Sequence, residues 1–188
     1  FRSHDRIHQW NNTGLELNQT GFLRLIEENH SFNYQLWYAE DRARRDDMGF
    51  EFVYLAKREI DHYNQQRNNR MEAMDNWLYN QLQPAPPSLD CPVHSETPGM
   101  ILDRLSILAL KSYHMRLQVE RQDVEEAHRE LCLNKWQIIQ QQETQLQDCL
   151  KQLLQAIENK TRTFRVYHQF KMYNDPDLNP QLYSKGKM

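Results

Sequence analysis

Two carboxylates stand three residues apart in "RMEAMD", at Glu72 and Asp75, and share one face if this segment is helical. Further acidic side chains stand at Glu40, Asp41, Asp61 and Asp103. Carboxylates that converge from neighbouring helices hold a hard divalent cation, because magnesium takes oxygen ligands. This pattern nominates Glu40, Glu72 and Asp75 as metal ligands, with Mg2+ as the cofactor. It also nominates Glu40, Asp61, Glu72, Asp75 and Asp103 as the catalytic carboxylates of a metal-assisted reaction on phosphate.

Amides and cations occupy the same stretches. Asn33, Arg44, Asn64, Arg67, Asn68, Arg104 and Lys111 are candidates for holding a phosphorylated small-molecule ligand or a protein partner. An anion would also suit Arg70, or the backbone at Thr97–Gly99 where a helix begins. The same residues admit a structural reading, since an unpaired buried charge costs roughly several kcal/mol and must be answered. Glu40 would then pair with Arg44 and Asp41 with Arg45, Asp103 would meet Arg67 or Arg104, and asparagines would bridge the helices. The eight histidines are scattered with no H-E-x-x-H, which argues against zinc. Nucleophile-elbow, P-loop and dinucleotide-binding motifs are missing from the sequence.

Helix breakers show which elements must position these groups. Prolines cluster from Pro84 to Pro98 and recur at Pro176 and Pro180, whereas residues 100–175 contain neither proline nor glycine. No alternation is long enough for a sheet, so the expected fold is an all-α antiparallel bundle of four to five helices in one domain over residues 1–188. Its expected parts are an N-terminal extension (1–20), a first helical half (22–82), a Pro-rich linker (83–97), a second helical half (98–172) and an ordered polar tail (173–188).

The first helix is expected over 22–45, with a stripe from Phe22 through Asn29, Asn33 and Trp37 to Arg44 that is half apolar and half polar. The second runs over 51–82 and sets Val53, Ala56, Ile60, Met71, Met74 and Leu78 beside a polar row. In "SETPGMILDRLSILALK" Ser95 or Thr97 can cap the third helix, and Pro98 suits its first turn. That helix is apolar almost all round yet carries Asp103, Lys111 and His114 along one side, so it should lie against the polar stripes of the first two. "DVEE" (Asp123–Glu126) has the form of a capping box for a fourth helix reaching Lys160, with Leu131, Ile138, Leu146, Leu150, Leu153 and Ile157 inward. The rings of "TFRVYHQFKMYNDPDLNPQLY" are expected to pack back on the bundle.

A net charge of -3 offers no global attraction to nucleic acid or anionic membranes, and no apolar run reaches the roughly 18 residues of a membrane span. Three cysteines without CxxC spacing read as reduced thiols, hence a cytoplasmic location. Long bundle helices are compatible with a homodimer, although no heptad fixes a seam.

The E-x-x-D spacing resembles the all-α nucleoside-triphosphate pyrophosphohydrolases, in which carboxylates hold magnesium. That family also has an E-x-x-E on the preceding helix, where this chain has only the adjacent Glu40 and Asp41. Longer strings, "ENHSFNYQLWYAEDRAR", "REIDHYNQQRNNRMEAMD", "SETPGMILDRLSILALKSYHM" and "FKMYNDPDLNPQLY", resemble the bacterial domain of unknown function 4254 family over nearly the whole chain. This resemblance implies an uncharacterised helical bacterial protein. The family pattern has Asp where this chain has Asn69, which removes one carboxylate from any cluster there. "ILDRLSILALK" is also similar to a segment of a family associated with glycosyltransferase genes, which implies an accessory role in cell-envelope polysaccharide assembly. Two functions are thus expected: a ligand- or partner-binding accessory protein, or a magnesium-dependent phosphoanhydride hydrolase.

Overall fold

The structure is a computed structural model and describes residues 3–170, 172 and 175–183. Among them the chain forms α1 (Ser3–Thr13), α2 (Gly21–Arg42), a 3-10 turn (Asp46–Met48), α3 (Phe50–Leu82), α4 (Pro98–Val119), α5 (Glu126–Glu158) and the single turn α6 (Pro180–Tyr183). The protein is an all-α bundle, and the described residues contain no strand. Of the expected tail, residues 173, 174 and 184–188 lie outside the described residues.

Local chemistry sets the ends of the helices. Gln83 closes α3 in the left-handed region (φ 46°), and Pro84 cannot continue the helix. Thr97 caps α4, its hydroxyl accepting from the Met100 amide at 3.1 Å, and Pro98 fills the first turn. The expected capping box of α5 does not form. That helix begins at Glu126 after Glu125, which makes no side-chain cap, while Asp123 accepts from Arg121 Nη2 at 2.7 Å. A fork of guanidinium donors holds the carboxylate more strongly than one amide would.

Helices α2 and α3 pack along each other, as do α4 and α5, and α4 also takes α1, α2 and α3 against its sides. The apolar core falls into three clusters. Leu78, Ile101, Leu146, Leu153, Ile157 and Phe164 form one, Ile7, Leu110 and Tyr113 the second, and Leu36, Ala39 and Ile60 the third. Asp103 and Ser106 fall between Ile101 and Leu110 along α4, so a polar layer interrupts the apolar ones.

Three expectations are corrected. Residues 1–20 contain α1, whose Ile7 and Trp10 are fully buried, so this segment contributes to the core. Leu131 and Ile138 are exposed, because the N-terminal half of α5 meets α4 through buried Cys132 and through Trp136, whose Nε1 donates to Ser112 Oγ at 2.9 Å. Phe164 is buried, but among the described residues the later rings do not return to the bundle: Phe170 is 83% exposed and Tyr167 and Tyr183 are also exposed. The chain beyond α5 is held instead by backbone bonds, His94 N–H to Thr163 O at 2.7 Å and Thr163 N–H to Pro92 O at 3.2 Å, which tie it to the Pro-rich linker.

Candidate functional site

Asp103, 2% exposed, is the centre of the polar layer. Arg67 of α3 grips it with Nε at 2.9 Å from Oδ1 and Nη2 at 2.9 Å from Oδ2, a two-pronged geometry that only guanidinium supplies. Oδ1 also accepts from Asn29 Nδ2 at 3.1 Å and Asn33 Nδ2 at 2.9 Å, both on α2. Asn33 Nδ2 reaches Ser106 Oγ at 3.0 Å, and His30 Nδ1 shares a hydrogen bond of 2.8 Å with the same hydroxyl. One carboxylate thus fastens three helices, and its charge is answered on every side.

A cleft of about 350 Å³ opens directly from this layer. Its floor is apolar, from Leu36, Trp37, Ile107 and Leu110. Its walls are polar: Asn33, Glu40, Asp41 and Arg44 from α2, and Asn64 and Arg67 from α3. Asn33 and Arg67 belong to both network and cleft, so the cleft inherits a rigid wall. With Nε and Nη2 engaged on Asp103, Arg67 directs Nη1 towards Asn64 Oδ1 at 3.5 Å. Glu40 and Arg44 pair at 2.7 Å at the exposed end.

Trp37 stacks on His114 of α4 with ring centroids 4.4 Å apart and an interplanar angle of 1°. Burial lowers the His114 pKa, and the charge of Asp41 pulls it partly back. Beside this pair, Asn11 of α1 accepts from the hydroxyls of Tyr34 and Tyr38 at 2.8 Å each, and its amide donates to Tyr113 at 3.0 Å. Burial, reinforced by the neighbouring Tyr38, pushes the Tyr34 hydroxyl up to about 12.

The other sequence-nominated carboxylates lie elsewhere, each with partners of its own. Asp61 pairs along α3 with Lys57 at 3.0 Å and Arg58 at 3.8 Å. Glu72 faces the chain beyond α5, 2.6 Å from His168 Nδ1 and 3.3 Å from the Gln169 amide. Asp75 is buried against the start of α4 and accepts from the Thr97 hydroxyl at 2.5 Å and the Gly99 amide at 2.7 Å. Desolvation pushes its carboxyl up to about 6, against the pull of both hydrogen bonds.

Among the described residues no three His, Cys, Asp or Glu side chains meet as a metal ion requires. Glu40, Glu72 and Asp75 are therefore not brought together, and the donor sets do not fit a shared magnesium ion. The anion site expected at Thr97–Gly99 is taken by the protein's own Asp75. Gly99 permits this approach, since a Cβ there would stand 2.7 Å from Asp75 Oδ1 and 2.7 Å from the Met71 carbonyl.

Of the cations, Arg70 pairs with Glu28 at 2.8 Å, Arg104 with Glu96 at 2.6 Å, and Arg45 with Asp47 rather than Asp41. Lys111 is exposed, and Asn68 is half-buried on α3. Glu27 went unnoticed in the sequence. It is fully buried, accepts from the Asn18 and Gln19 amides at 2.8 Å each, and lies 2.9 Å from Arg6.

Residues 23–166, which carry all but the first two residues of α2 and the whole of α3 to α5, and with them the network and the cleft, match the family described as protein of unknown function, DUF4254. The chain belongs to that family. No curated protein and no solved structure matches it. The DUF4254 region includes every residue of the Asp103 network and leaves out all of α1 and the chain beyond Val166. No helix among the described residues is long and apolar enough to cross a membrane.

Proposed function

We propose that this DUF4254 protein is a non-catalytic ligand-binding protein whose cleft between α2, α3 and α4 recognises a small polar molecule. Arg67 carries the reading: two of its nitrogens are locked on Asp103, and the third is presented at the cleft beside Asn64. A donor held this way loses little freedom when a ligand arrives, which favours binding. The apolar floor with a few convergent polar groups is the usual composition of a ligand site.

Magnesium-dependent hydrolysis of a phosphoanhydride would need Glu40, Asp61, Glu72 and Asp75 to act with Asp103, and their separate partners support the binding reading instead. A place in envelope polysaccharide assembly draws its support from the likeness of "ILDRLSILALK" alone, and a cytoplasmic location from the cysteine pattern.

A thermal-shift screen of polar metabolites, with and without Mg2+ and Mn2+, tests the proposal. A ligand present at about 100 times its Kd adds about 2.7 kcal/mol, a rise of about 5–11 °C for a domain of this size. The shift should occur without metal and disappear in Asn64→Ala. A panel in which nothing shifts the wild type, or in which every shift requires metal, would overturn the reading.

A further inference from the structure

Ile107 lines the cleft on one helix, α4. The same side chain borders a second hollow of about 370 Å³ between α4 and α5, whose other walls are Arg104, Leu108, Lys111 and Gln142. Arg104, Ile107, Leu108 and Lys111 recur at three and four residues, so they form one stripe along α4. The cleft and the hollow therefore share one lining residue, Ile107, and differ in charge.

In the cleft, Arg44 answers Glu40 and Arg67 answers Asp103, which leaves the negative charge of Asp41 in excess. In the hollow, Glu96 answers Arg104, while Lys111 has no carboxylate partner among the described residues. A ligand lying across Ile107 would meet acceptors and amides at one end and a positive charge at the other.

The size and lining of the cleft narrow the ligand further. A volume of about 350 Å³ is near the lower limit for ligand pockets, which suits a single ring better than a nucleotide. Asn64 and Glu40 offer polar groups to adjacent hydroxyls, and Asn33, whose amide nitrogen is spent on Asp103 and Ser106, leaves its carbonyl to accept, above an apolar floor that matches the C–H face of a sugar ring. Lysine is a point-charge partner for phosphate, and a phosphate placed in the cleft itself would face Glu40 and Asp41.

We infer that the cleft and the hollow together take a phosphorylated monosaccharide, with its hydroxyls on Asn33, Asn64 and Glu40 and its phosphate on Lys111. This rests on the ligand-binding reading of the cleft and adds the ligand's class and orientation.

Isothermal titration of the full chain at low salt, with aldohexose 6-phosphates, the matching free hexoses and inorganic phosphate, tests it. At least one hexose phosphate should bind about tenfold or more tighter than its free hexose, the lower end of what a charge-assisted hydrogen bond contributes. Lys111→Gln, at an exposed position, should abolish that preference while leaving hexose binding and Tm unchanged. Raising the salt from about 0.05 M to about 0.5 M should reduce the preference in the wild type only. The inference falls if hexose and hexose phosphate bind alike, if Lys111→Gln keeps the preference, or if no hexose phosphate binds. A different polar ligand that depends on Asn64 would then leave the binding reading standing, whereas silence in both experiments would remove both.

Discussion

Replacing Asp103 with alanine removes the acceptor for Arg67, Asn29 and Asn33 at once. The Arg67 side chain is 26% exposed and can recover part of its solvation, but the two asparagine amides are buried. Breaking a buried pair by removing one partner costs about 3–5 kcal/mol, and the deserted amides belong within that figure because the losses are not additive. For a domain of this length that corresponds to a fall in Tm of about 6–20 °C. Urea unfolding followed by circular dichroism measures the cost directly. The double variant Asp103→Leu/Arg67→Met removes both charges together, and it should be more stable than the sum of the single losses by at least about 1 kcal/mol. A cost below about 1 kcal/mol for Asp103→Ala, or a cycle additive to within about 0.5 kcal/mol, would show that Asp103 does not organise the bundle.

Other perturbations follow from the same geometry. Because burial raises the Asp75 pKa above that of the unfolded chain, its stabilising protonated form is complete below pH 4 and is lost as pH rises through about 6. Wild type should therefore lose roughly 2 kcal/mol more than Asp75→Asn between pH 4 and pH 7, and parallel stability–pH curves would refute this. Gly99→Ala drives a Cβ into Asp75 and the Met71 carbonyl and should cost about 1–3 kcal/mol, visible as a lower urea midpoint. Glu27→Ala takes the acceptor from the Asn18 and Gln19 amides, so limited proteolysis should cut the α1–α2 connection sooner while α3 to α5 stay protected.

Most of the architecture was legible because glycine and proline are confined to the joints, and the rods between them follow from apolar spacing. The pairing of Asp103 with Arg67 was also foreseeable, since Asp103 lies within the apolar "ILDRLSILALK" and a buried carboxylate there needs a cation from a neighbouring helix. Which carboxylates cooperate was not legible. Glu72 and Asp75 do share a helical face, yet one meets His168 and the other caps α4, and residue spacing says nothing of what arrives from a distant part of the chain. Glu27 reads as a solvated charge because its partners are backbone amides, which leave no mark on residue type. Helix α1 is short and mostly polar, and only Ile7 and Trp10 hint at its burial. The cleft combined residues already suspected, Asn33, Arg44, Asn64 and Arg67, with Trp37 and Ile107, which the sequence offered only as core.

The amides of α2 wait for a partner that is 70 and 74 residues further along the chain. During synthesis, the α2–α3 hairpin can close well before α4 has left the ribosome. At that stage its uncovered side shows asparagine, histidine and arginine where most bundles would show leucine. A half-made molecule of this kind remains wettable and gives neighbouring nascent chains little to adhere to.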